Sequence, residues 1–114
     1  MGDKSDLVRG ALDLMVLRAL DTMGAQHGYG LARRIEQMSE GALALNQGTL
    51  YPALLRLEQQ GRIASKWGIS DNNRRARYYS LTARGRRHLA AETARWQGLS
   101  ALLGRFIHPA GDLP

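Results

Sequence analysis

Apolar residues along this 114-residue chain recur at helical spacing in four stretches and alternate with polar ones in two. Residues 7–23 read as a first helix, with Leu7, Leu14 and Leu17 on one side and Val8, Leu12, Met15, Val16, Ala19 and Met23 on the other. Two apolar sides exceed the single stripe of a surface helix. This element is therefore expected either to be the central core helix or to face both its own core and a second subunit. The glycines of GAQHGYG, residues 24–30, break it.

A second helix is expected from Gly28 or Tyr29 to Ser39, with Leu31, Ile35 and Met38 on one face and Gly41 as its stop. Leu43 and Leu45 alternate about Ala44 as in a short strand. A third helix is expected to be capped between Asn46 and Thr49, because Pro52 has no N–H and sits without distortion in a first turn. Its periodicity buries Leu50, Ala53, Leu54 and Leu57 and offers Gly48, Thr49, Pro52, Arg56 and Gln59 to a partner. Beyond Gly61, Ile63 to Trp67 and Arg77 to Leu81 read as the strands of a hairpin with a long basic loop, Asp71, Asn72 and Asn73 supplying the turn chemistry.

Thr82 is placed to cap a last helix from Ala83 to Ile107, ended by Pro109 and Gly111. Leu89, Trp96 and Leu103 follow at intervals of seven, with Leu99 and Phe106 beside them, so the helix carries a coiled-coil-like seam. At 1.5 Å per residue it is about 36 Å long, more than a domain this small can cover. The same helix of a second copy is the cheapest cover, so a homodimer is expected.

The resulting fold class is mainly α with a small β-hairpin: a winged helix-turn-helix over residues 1–82 and a C-terminal dimerisation helix and tail over 83–114, in one compact domain overall. The size suffices for a core without disulfides or metal. There is no cysteine, which fits a cytoplasmic protein, and neither a signal peptide nor a membrane span is expected.

Charge sharpens the picture. The chain carries a formal +6, and between Arg56 and Arg87 lie nine basic residues against only Glu58 and Asp71. A polyanionic partner is favoured. On the third helix Thr49 and Tyr51 can donate to phosphate oxygens, while Gln47 and Arg56 can reach base edges or backbone. Gly48 permits close approach of the backbone at a helix start that favours anions. Lys66, Arg74, Arg75 and Arg77 are expected to form the positive tip of the wing, whereas Arg84, Arg86 and Arg87 add to the field and Trp67 packs the hairpin. Double-stranded DNA with a palindromic operator is the expected partner, a winged helix used for RNA or protein the alternative. Catalysis is not expected: His27, His88 and His108 lack metal-ligand spacing, and no nucleotide loop or serine elbow is present. No cofactor or metal is implied.

HGYG at 27–30, LNQGTLYPALLRLEQQG at 45–61, RRARYYSLTARGRRHL at 74–89 and a short C-terminal helix with a tryptophan together resemble the PadR-like transcriptional regulators, specifically the small type with one C-terminal helix. The resemblance implies a cytoplasmic dimeric winged-helix transcription factor, usually a repressor, and implies a phosphate contact for Tyr29. Trp96 falls on the expected dimer seam, where it reads either as ordinary interface packing or, by resemblance to drug-sensing relatives, as flanking a flat hydrophobic cavity between subunits. Val8, Leu12, Met15 and Leu99 would complete the wall for a hydrophobic small-molecule effector, next to the interface residues Leu89, Leu103 and Phe106.

Overall fold

The computed structural model of the chain describes residues 4–109, with side chains from residue 8 onward. The elements follow in the order α1 (Lys4–Met23), β1 (Gln26–His27), α2 (Gly28–Met38), α3 (Gln47–Gln59), β2 (Ile63–Ile69), β3 (Arg75–Leu81) and α4 (Ala83–Ile107). The expectations for the side chain of Leu7 and for Gly111 lie outside the described residues.

The middle of α1 is the axis of the core. Val16, Leu17, Ala19 and Leu20 are buried among Leu31 and Ile35 of α2, Leu50, Leu54 and Leu57 of α3, Ile63 and Tyr79 of the sheet, and Leu89 of α4. A helix wrapped by neighbours needs apolar residues on several sides, which explains the missing polar stripe. Each fully buried leucine contributes about 2 kcal/mol through the water it leaves behind.

Three starts are capped by side chains. His27 Nδ1 accepts from Gly30 N at 3.0 Å, Asn46 Oδ1 from Thr49 N at 2.9 Å, and Thr82 Oγ1 from Gly85 N at 3.0 Å. Each satisfies an N–H that a helix start leaves orphaned. At the end of α3, Arg62 N donates to Leu57 O and Gly61 N to Glu58 O, with Gly61 at φ 74°. This closing motif places a left-handed residue where glycine costs least.

Four local expectations change. The third strand is β1, not Leu43–Leu45: the sheet order is β1-β3-β2, with Gln26 opposite Tyr79 and His27 opposite Tyr78. Two residues are too few for alternation to register, and Leu43 and Leu45 instead pack on the core from an irregular segment. Both hairpin strands are longer than expected, and Ile69 pairs with Arg75. Only Ser70 to Arg74 make the turn, closed by Ser70 N on Arg74 O at 2.8 Å, with Asn73 at φ 60°. At the end of α2 Gly41 is left-handed as its role of stop requires, φ 84°, but the turn begins one residue earlier, with Glu40 at φ 54°. Finally, α3 starts at Gln47, which puts Pro52 in its second turn. The proline there withholds only the bond to the carbonyl of Gly48.

Candidate nucleic-acid interface

Helix α3 has four sides. Leu50, Ala53, Leu54 and Leu57 face the core; Gln47, Tyr51 and Glu58 turn toward the hairpin; Thr49 and Arg56 turn toward α1; and Gly48, Pro52, Leu55 and Gln59 form the outer ridge. Arg56 is therefore not offered to a partner as its helical position suggested. Its guanidinium binds the carboxylate of Asp13, a part-buried pair that ties α3 to α1. Residues 43 apart in the chain meet here, which α3's own periodicity cannot register.

An open groove of about 1040 Å³ lies between the starts of α2 and α3 and the hairpin. Into it come Tyr29, Gln47 and Tyr51 from the helices and Arg74, Arg75 and Arg77 from the wing. Gly48 and Thr49 lie exposed on the same first turn of α3 but outside this lining, Thr49 on the α1 side. His27 and Arg33 join the groove without having been anticipated. Because Nδ1 of His27 accepts the capping bond, its neutral ring carries the proton on Nε2, while its ring and that of Tyr78 meet edge to face at 5.4 Å. Arg33 stands 5.9 Å from the centre of the Tyr29 ring, adding charge beside an exposed phenol.

The wing is an ordered cationic strand rather than a loose loop. Trp67 is 55% exposed, and the guanidiniums of Arg75 and Arg77 lie 4.5 and 5.6 Å from its ring centre. Stacking of this kind holds a guanidinium in place and leaves its N–H groups free to donate. Arg77 is also tethered, its Nε donating to Ser65 Oγ at 2.7 Å and its Nη2 standing 3.5 Å from Glu58. Lys66 parts from this group: strand alternation puts it with Gly68 on the hairpin face opposite Trp67, Arg75 and Arg77, outside the groove lining. Trp67 thus supports the arginines besides packing the hairpin. The sequence signal was available in its place directly across the ladder from Arg77.

The seam of α4 divides. Leu89 is 3% exposed within the chain's own core, so it is not an interface residue, whereas Leu103 is 50% and Phe106 76% exposed. Trp96 rests on α1 at Gly10, where an added Cβ would stand 3.6 Å from the ring. The expected wall around Trp96 is dispersed within the chain. Val8 and Leu12 lie beside Thr49, Pro52 and Arg56 of α3, while Met15 lines a separate apolar cavity of about 300 Å³ with Leu14, Ile35 and Met38. Leu99 remains half-buried on α4.

Burial is the main cause of the shift at two of the groups whose proton affinity changes. Burial raises the Tyr79 phenol above its usual range, with the neighbouring Tyr51 adding to the effect, so this ring stays neutral in the core. Burial, then the Arg62 charge, lowers His88. No cluster of metal-binding side chains occurs among the described residues, and no helix there is long and apolar enough to cross a membrane.

A helical trio on a small antiparallel sheet, with a cationic hairpin beside the third helix, defines a winged helix-turn-helix protein. Residues 16–91 match the model of the transcriptional regulator PadR-like family, and the chain belongs to that family of transcription regulators. Its fold is similar to a transcriptional regulator from Clostridium thermocellum, at 27% identity and a TM-score of 0.79 over 90% of this chain and 98% of that one. A PadR family transcriptional regulator from Eggerthella lenta is 31% identical, with a TM-score of 0.74 over 91% and 88% of the two chains. An uncharacterised protein from Lysinibacillus sphaericus is 28% identical over 105 residues, covering 91% of this chain and 94% of its own.

Proposed function

We propose that the chain is a sequence-specific DNA-binding regulator that acts in the cytoplasm as a homodimeric repressor. The observation that carries this reading is the convergence of Gln47 and Tyr51 of α3, Tyr29 of α2 and Arg74, Arg75 and Arg77 of the wing on one groove. Polar groups at a helix start can meet base edges and phosphates together, while stacked arginines beside it grip the flanking backbone. Gly48 and Thr49 bring the first turn of α3 close to the duplex; Lys66, on the far face of the hairpin, contributes to the field and makes no direct grip.

Dimerisation is supported by the outer half of α4, where Leu102, Leu103, Phe106 and Ile107 are exposed together. Such a patch on one helix needs cover, and a second copy supplies it symmetrically. Two α3 helices then address two half-sites of a palindromic operator. A small apolar effector bound against α4 would act by changing the angle between subunits, provided it prefers one arrangement over the other.

Selection of bound sequences from a random duplex pool, followed by footprinting, tests the reading. The expected product is an inverted repeat whose halves lie one helical turn or a multiple apart. Enrichment of no sequence, with binding that follows charge alone, would refute it.

A further inference from the structure

The ridge of α3 farthest from the core carries no charge. Gly48, Pro52, Leu55 and Gln59 succeed one another at i, i+4, i+7 and i+11, opposite the buried Leu50, Leu54 and Leu57. Leu55 at its centre is 57% exposed, and Pro52 beside it is exposed as well. The charged neighbours on both flanks are tied down: Arg56 by Asp13 on the α1 side, and Glu58 by Ser65 and Arg77 on the wing side. The amides that could read hydrogen bonds, Gln47 and Gln59, stand at the two ends of the helix, about 18 Å apart along its axis. The middle of the surface that would enter a groove is therefore apolar.

Base-pair edges in the major groove offer one apolar group, the C5-methyl of thymine. We infer that Leu55, with Pro52 beside it, reads thymine by packing on that methyl, which makes Leu55 a specificity-determining residue at the centre of each half-site. The inference rests on the DNA-binding reading above. It assigns discrimination to a residue with no hydrogen-bonding group, and it removes Arg56 from the base-reading set.

The test uses the unmodified protein and operator duplexes from the selection, with each thymine replaced in turn by deoxyuracil, which lacks only the methyl. At one thymine or more in each half-site, affinity is expected to fall about fourfold, the value of one buried methyl group. Leu55→Ala should bind with the same salt dependence and respond no further to uracil at those positions, and Leu55→Met should restore part of the response. Uracil without effect at every thymine would overturn the inference, as would a Leu55→Ala protein that keeps the full response. In either case selection of an operator leaves the DNA-binding reading standing; if no sequence is selected, both fall.

Discussion

The two halves of α4 carry the same spacing of apolar residues and meet opposite fates. In the first half, Leu89 enters the core, Gly85 lies so close to the α3-to-β2 junction that an added Cβ would stand 1.9 Å from the Arg62 carbonyl oxygen, and Arg18 of α1 donates to Thr93 at 3.0 Å. In the second half, Leu103 and Phe106 continue the seam but stand open to solvent. Periodicity tells which face of a helix is apolar. It does not tell whether the cover comes from the same chain.

That contrast can be broken from either end, and the largest expected effect lies in the first half. Gly85→Ala forces a methyl group into the Arg62 carbonyl, and overpacking at such a point costs about 1–3 kcal/mol. Urea denaturation should record that loss, and an unchanged midpoint would mean that the junction yields freely. In the second half, Leu103→Glu leaves the fold of each chain within about 0.5 kcal/mol of the parent but places a charge on the proposed interface. Sedimentation should then find monomers; a persistent dimer would move the interface elsewhere.

A similar contrast separates two arginines that look alike in the sequence. Arg75 is exposed on the wing and stacked on Trp67, whereas Arg56 is held by Asp13. Arg75→Ala is expected to lower the slope of log affinity against log salt by about one unit for each phosphate left without its arginine. Arg56→Ala should leave that slope unchanged and lower stability by about 1–3 kcal/mol, since it leaves the part-buried Asp13 carboxylate without its partner. Equal slopes for the two variants would deny the distinction.

The smallest expected effect belongs to His88, on the inner half of α4. Burial and the Arg62 charge lower its pKa in the folded chain, so the unfolded chain binds the proton more readily. Stability is then fully present above the ordinary histidine value near 6.5 and declines as pH falls from there through the lowered folded value. His88→Gln should flatten that part of a stability-against-pH curve. A curve identical to the parent's would assign the decline to other groups.

The local pattern of the sequence determined the helices, two of their three side-chain caps and the hairpin, because those features depend on neighbours within a few residues. Thr82 before Ala83, Asn46 before the third helix and the buried Leu50, Leu54 and Leu57 were legible for that reason. Charge density between Arg56 and Arg87 likewise located the cationic wing, although density alone does not sort Lys66 onto the far face, and two further ladder pairs, Gly68 with Ala76 and Ile69 with Arg75, lay beyond the expected strands. Tertiary structure alone decided which arginines are held by carboxylates, which half of the last helix is covered, and that Val8 and Leu12 line a hollow with Thr49, Pro52 and Arg56 of α3. Each of those outcomes depends on groups brought together from distant parts of the chain, as Asp13 is to Arg56. The energy of such a meeting is absent from any short window of residues.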